Sequence, residues 1–536
     1  MTANLDTAAI LGQADALIAA GRHQDAIEFL RQHLAAGGSR DAVAVKFANL
    51  LGGVGRHEEA IAVLSTRAER RDAGLSLLTA LGVALQSDRR LEAAIAVFER
   101  ARAMAPASGV AEHNLAAAFG DGHWFQEAEA ASARALSLGL NAPETWQVRA
   151  RALHGLGRFD EAEQAFREVI ARRPNHPDAH GELAQQIWMR NEDMDEATAM
   201  LDAARSRDPA DAGLARARAK LFEGIGDHEG AYAVFSDALM RPGADPMLNA
   251  DAALAASWFD PERAVIHAER AVAIDPWRGE VMTALCQAYL AAGHPAEALP
   301  VAEAMRRAWP NDQFAVALLG MAWRMLGDPR YGELYDYDRL VRPYRLDTPD
   351  GWRSLDAWVA DLAAALTELH QMRAHPIGQS LRNGTQTAQS LDRIEHPAIR
   401  GLFQAIDRPI RAYIAALDQN GEVLGRPVKA DHAYRFDKAW SIRLNPTGFH
   451  VNHLHPKGWI SSACHLRLPA TVAVGREGWL SFGEPGLPTR PRLPAEHFVR
   501  PQEGHVVLFP SYMWHGTVPF SGDDVRLAAA FDVVPA

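Results

Sequence analysis

Residues 146–174 read WQVRARALHGLGRFDEAEQAFREVIARRP. Trp146 and Leu153 fall two turns apart on one helical face, and Gly157 marks a turn. Ala162 and Phe166 then fall one turn apart on a second helix, and Pro174 closes the unit. These intervals describe a helix–turn–helix unit of about 34 residues. The same grid returns at Gly226, Ala231, Phe235 and Ala238, at Ala264, Ala268, Ala271 and Pro276, and at Ala298, Ala302, Met305 and Pro310. Weaker copies lie at Gly21/Ala26, Gly55/Ala60, Ala94/Phe98/Ala101/Pro106 and Ala128/Ala135. The copy ending at Pro209 carries one extra residue before Ala197. Small alanines let two helices approach, and Phe or Leu fills the space toward the next unit.

This grid resembles the tetratricopeptide repeat. The resemblance implies an all-α, right-handed solenoid of about nine units over residues 1–310, with a concave surface. Such an array holds a polypeptide or pairs two copies of the chain as a homodimer. Residues 311–345 are expected to form a capping helix (314–326) and a linker dense in tyrosine and charge. A helix is expected at 352–372, and one or two more over 391–417, interrupted near Pro397 and Pro409. From about residue 429 short apolar stretches alternate with Gly, Pro, Asn and Asp, the pattern of a β sandwich or barrel. The expected strands include Trp440–Leu444, Trp459–Leu468, Trp479–Phe482, Val506–Phe509 and Arg526–Val534. The chain therefore reads as multidomain: a solenoid, then a β-domain with helical flanks over residues 346–536.

Composition narrows the function classes. The 536 residues are 48% hydrophobic and 23% charged, with a net charge of -12 that argues against a general nucleic-acid binder. Two cysteines, Cys286 and Cys464, lie far apart without CxxC spacing, so no disulfide framework is expected and a reducing compartment fits better. The N-terminus lacks the layout of a secretory signal, and no apolar run reaches spanning length. A soluble, cytoplasmic protein is the expectation.

Histidines crowd the C-terminal region: His432, His450, His453, His455, His465, His497, His505 and His515. Histidines at i and i+2 on a strand share a face, so His453 and His455 point together. His515, from a distant strand, closes a facial set of nitrogen ligands suited to Fe(II) with open positions. Pro456 ends the local ladder and places the pair at a strand mouth. Arg526 opens the apolar final strand and needs a partner if buried. His450 is expected to face away from His453, and Trp440, Trp459, Trp479 and Trp514 to serve the core.

Four stretches carry a second resemblance: Phe449–Ser462 around the histidine pair, the Arg500-Pro501 turn with Gly504, Leu508–Ser511 running into Trp514-His515-Gly516, and Arg526 leading into Ala530-Phe531-Asp532-Val533. With the upstream segment 375–387, they resemble bacterial iron(II)/2-oxoglutarate oxygenases that stand behind tetratricopeptide repeats. More distantly they resemble aspartyl/asparaginyl β-hydroxylases. The resemblance covers residues 330–536. It implies a double-stranded β-helix of the jelly-roll or cupin-like kind, an Fe(II) and 2-oxoglutarate cofactor pair, and O2 as cosubstrate. It assigns metal binding to His453, His455 and His515, and 2-oxoglutarate to Arg526. It also suggests Arg382, Gln386 and Thr387 at the substrate entrance.

Two departures stand out. His455 occupies the position where the wider superfamily places Asp or Glu, which leaves a three-histidine site, a two-histidine site with water, or a non-catalytic remnant as readings. Ala528 stands where many relatives carry a serine that assists the arginine, so Ser461, His465 or Arg443 is the expected helper. The implied activity is a dioxygenase that hydroxylates a protein or peptide side chain. The alternative is a non-catalytic interaction protein with a degenerate cupin-like domain.

Overall fold

The computed structural model describes residues 6–35, 41–243, 245–418 and 433–536. The expected onset of β structure near 429, and His432, lie outside the described residues. The chain divides into two compact units, residues 1–172 and 173–536. Among the described residues, the first contains five helix pairs, from Thr7–Ala19 to Phe159–Arg172. The second contains four more pairs, from Pro177–Asn191 to Pro295–Ala308, the helix Gln313–Leu326 and the β-domain. The grid residues form the cores: Ala94, Phe98, Ala162, Phe166, Ala231, Phe235, Ala268 and Ala302 are all buried. A left-handed residue recurs at 21, 55, 89, 123 and 157, then at 192 and 226, which places the longer spacing where the extra residue falls. Gly157 (φ +73°) adopts this conformation freely, whereas Glu192 (φ +58°) makes the same turn without that freedom.

Among the described residues the β-domain has nine strands: β1 (Arg342–Arg345), β2 (Leu381–Gln386), β3 (Tyr434–His450), β4 (Ile460–Arg467), β5 (Leu480–Phe482), β6 (His497–Val499), β7 (His505–Pro510), β8 (His515–Thr517) and β9 (Arg526–Pro535). They form two sheets with all pairings antiparallel, β1-β7-β4-β9-β3-β2 and β6-β5-β8. Phe482 of β5 meets Phe509 of β7 edge-on at 5.1 Å, which ties the small sheet to the large one.

Two expectations need correction, and one strand is unexpected. The tyrosine-rich linker contributes β1, which pairs with the outer edge of β7 through Arg342↔Leu508 and Arg345↔His505. The polar segment 381–386 is edge strand β2, paired with β3. The expected break near Pro397 is present, between a short helix at Leu391–Arg393 and one that starts at Pro397, but the latter runs on to Asp418 across Pro409. Pro397 occupies its first position, where an N–H has no intrahelical partner anyway. Pro409 lies inside, and the buried face of Leu402, Ile406, Ile410, Tyr413 and Ile414 holds the helix together across it.

The last repeats and the β-domain share one core. Cys286, Leu290, Met305 and Leu318 join Trp358, Leu362, Phe509 and Phe531 in a single apolar cluster. Backbone bonds cross the same junction: Gln313 N–H donates to the Pro456 carbonyl (3.1 Å) and Arg490 N–H to that of Leu290 (3.2 Å). Among the described residues, no helix is long and apolar enough to cross a membrane. Trp358, from the helix Leu355–Glu368, is fully buried and its indole N–H donates to the Ala398 carbonyl at 3.0 Å. Trp358→Ala is expected to lower unfolding free energy by roughly 3–5 kcal/mol. Denaturant titration checks this, and a loss below about 1 kcal/mol would contradict the packing described.

Candidate metal centre

Strand β3 ends at His450, and the chain turns off the large sheet to run beside β8. His453 and His515 exchange both backbone hydrogen bonds, each 2.9 Å, and His455 N–H donates to the Ser511 carbonyl at 3.0 Å. The histidine pair thus lies just past a strand end, held by an isolated bridge rather than within a regular ladder. Gly458 N–H returns to the His455 carbonyl (3.2 Å), the turn that Pro456 begins.

The three imidazoles converge, with one ring nitrogen of each within 4.8 Å of the others. Ring centroids of His453 and His515 are 4.2 Å apart, and His455 lies 5.2 Å from each. Every Nδ1 is engaged: His453 with the Val451 carbonyl (2.9 Å), His515 with the Met513 carbonyl (2.9 Å), and His455 with both oxygens of Asp532 (2.6 and 2.8 Å). Carbonyl and carboxylate oxygens only accept here, so each Nδ1 carries a proton and Nε2 is the ring atom left to face a metal. That is the tautomer a metal ligand needs, fixed by outer hydrogen bonds. Burial holds His453 and His515 well below the ordinary histidine pKa, so both are neutral at physiological pH. The donor set therefore fits a divalent cation with positions left open.

A cavity of about 1080 Å³ opens onto these rings. Arg526, the first residue of β9, lines it and is 4% exposed. Its guanidinium donates to the Gly478 carbonyl (2.5 Å) and approaches His465 Nδ1 at 3.4 Å; burial pulls its pKa down to about 10. Among the described residues no carboxylate pairs with it. A guanidinium has only donors, so His465 Nδ1 accepts and the proton sits on Nε2. That Nε2 is fully buried without a partner, and His465 also lines the cavity. A buried guanidinium and a histidine with an unpartnered N–H therefore line one space, an arrangement that suits an anion.

The other expected helpers lie elsewhere. Arg443 bonds Asn445 Oδ1 (2.8 Å) and is not among the cavity-lining residues, since Ile442 and Leu444 take that face of β3. Ser461 is buried against Asp532, Ser511 and His455, which makes it part of the His455 support and not of the Arg526 corner. Arg382 and Gln386 line the cavity, whereas Thr387 is buried and accepts from Ser441 N–H at 3.0 Å.

His450 does not face away. Its ring stacks 5.7 Å from that of His453 and lines the cavity, because strand alternation stops where β3 ends. Burial, reinforced by the charge of Arg526, takes its pKa to about 3. Trp440 likewise lines the cavity, 5.6 Å from the His455 ring, instead of serving only the core.

Sequence reasoning missed two contributions. Asp532 is visible as a lone acid inside the apolar run Leu527–Val534, and a charge there requires a partner. The second is a wall built by repeat helices: Arg216, Lys220 and Glu223 of Ala212–Gly224, and Asp251 and Leu254 of Leu248–Ala256. Only a folded structure brings residues so distant in sequence to the histidines.

Comparison with known proteins agrees with this geometry. Residues 438–532 match the family described as "Putative 2OG-Fe(II) oxygenase", a span that contains His453, His455, His515, Arg526 and Asp532. Residues 45–109, 115–177 and 153–221 match tetratricopeptide repeat families. The chain thus has a segment that matches this oxygenase family behind segments that match tetratricopeptide repeats. No curated protein matches it. Similar solved structures include a tetratricopeptide repeat protein from Parabacteroides merdae, with 18% identity, 46% of this chain and 98% of that chain covered, and a TM-score of 0.33. A thermophilic tetratricopeptide protein of Thermus thermophilus shows 21% identity over 34% of this chain and 99% of its own, with a TM-score of 0.29.

His515→Ala is expected to weaken divalent metal binding by more than about 100-fold, since removing a ligand exceeds the loss of an outer partner. Calorimetric titration of the isolated protein measures this; undiminished binding would remove the site.

Proposed function

We propose that the protein is an Fe(II)- and 2-oxoglutarate-dependent dioxygenase that hydroxylates a protein or peptide side chain. One observation carries the reading: three converging imidazoles, a buried Arg526 that no carboxylate pairs among the described residues, and His465 with its unpartnered Nε2 line the same cavity. In this reading His453, His455 and His515 hold the iron. Arg526 and neutral His465 take the distal carboxylate of 2-oxoglutarate, and His465 supplies the donor that Ala528 cannot. When bound, iron would activate O2, the oxidant; one oxygen atom would enter the C–H bond and the other succinate, as 2-oxoglutarate is oxidatively decarboxylated to succinate and carbon dioxide. The protein orients the reacting bond and keeps bulk water away.

The substrate reading rests on the cavity walls. Arg382, Gln386 and Trp440 stand on the β-domain side, with Arg216, Lys220 and Glu223 on the repeat side. Burial and the charge of Asp251 raise the Glu223 pKa to about 7. A wall with both apolar and charged groups, contributed by a repeat type that generally binds polypeptides, suits a side chain presented on a peptide.

Supplied with Fe(II), 2-oxoglutarate and captured cellular proteins, the isolated enzyme is expected to release succinate and to add the mass of one oxygen atom to a bound polypeptide. Absence of both products would overturn the proposal. Arg526→Ala is expected to raise the KM for 2-oxoglutarate roughly 10- to 100-fold, the range for hydrogen bonds to a charged group. His465→Phe should act in the same direction with a smaller factor. Steady-state kinetics in 2-oxoglutarate check both, and an unchanged KM in Arg526→Ala would place the cosubstrate elsewhere.

A further inference from the structure

We propose that Asp532 acts through His455 as the anionic partner that the metal centre lacks among its own ligands. The inference rests on the iron reading above and goes beyond it to a positioning residue.

His453 and His515 lean on neutral backbone carbonyls, whereas His455 leans on a carboxylate, with both oxygens within 2.8 Å of Nδ1. The three rings are therefore not equivalent. An imidazole whose N–H points at a carboxylate is a more basic ligand at its other nitrogen, and its orientation is fixed. His455 is also the ring that stands where a carboxylate ligand is usual. The negative charge is present after all, moved one imidazole away from the metal.

The surroundings of Asp532 point to this one task. It is 8% exposed, and its single ion-pair partner among the described residues is His455. Lys438 on β3 feels its charge without bonding to it. A carboxylate buried without lysine or arginine needs a cation from somewhere, and the imidazole–metal unit provides it. Its remaining contacts orient it. Ser461 Oγ donates to Oδ1 at 2.6 Å, and since a hydroxyl has one proton, the 2.8 Å contact between Ser461 and Ser511 has Ser511 as donor. The chain closes over this group at Gly458, where a Cβ would lie 2.4 Å from Ser511 Oγ and 3.4 Å from the Asp532 carboxyl carbon. The relay Ser511–Ser461–Asp532–His455 is thus packed in place, and it lies apart from the Arg526 corner.

The test is Co(II) titration of the full-length protein, followed by absorption, with apo melting temperature measured in parallel. Asp532→Asn keeps the shape and removes the charge. It is expected to leave the apo melting temperature within error and to weaken Co(II) binding roughly 10- to 100-fold, the usual effect of an outer-shell partner. If wild type binds Co(II) and Asp532→Asn binds it equally well, Asp532 is only a packing residue and the inference fails alone. If wild type binds no Co(II), the metal reading fails and the inference with it. Should Asp532→Asn not fold, Ser461→Ala keeps the carboxylate and removes its anchor. It is then expected to weaken binding roughly 3-fold or more, as the loss of one hydrogen bond would, and unchanged affinity would overturn the inference.

Discussion

Everything about the site depends on one constraint: the Nδ1 proton of each of three converging histidines is already committed to an oxygen. Val451, Met513 and Asp532 hold the rings so that the three Nε2 lone pairs turn toward one another. Lone pairs brought together in a buried space repel, and such an arrangement is unfavourable unless a cation joins them. The backbone bridge between His453 and His515 adds to this, because it places two rings at contact distance before any side-chain preference acts. The large sheet then serves as a frame: the segment just past the end of β3 carries the first two histidines, and β9 carries both Arg526 and Asp532.

The repeats within residues 173–536 are more than a separate recruiting arm. Their helices Ala212–Gly224 and Leu248–Ala256 form part of the cavity wall, and the last pair shares its core with the β-domain. Whatever the repeats hold there is held against the space that the histidines face. In the proposed reading, selectivity and chemistry are coupled by shape, because Glu223 and Arg382 line the same cavity as His453, His455 and His515.

Much of this is legible in the chain. The repeat grid predicts alanines and phenylalanines that the structure buries, and the spacing of His453, His455 and His515 predicts the cluster it forms. Local rules fail where the chain leaves regular structure. Strand alternation turns His450 away from the site, yet β3 ends at that residue and the rule no longer holds. A proline such as Pro409 ordinarily breaks a helix, but here a buried face outweighs one missing hydrogen bond. Ser461 and Arg443 are expected to assist Arg526, while their hydrogen bonds lead elsewhere. The contribution of Glu223 and Asp251 cannot be read from sequence at all, since it arises from the docking of two elements more than a hundred residues apart in the chain.

The most direct test is a crystal structure of the protein grown without oxygen in the presence of Mn(II) and 2-oxoglutarate, with anomalous scattering used to locate the metal. A single Mn(II) peak bonded to Nε2 of His453, His455 and His515, with the far carboxylate of 2-oxoglutarate on Arg526, is the predicted result. A metal bound elsewhere, or three histidines without one, would contradict the account.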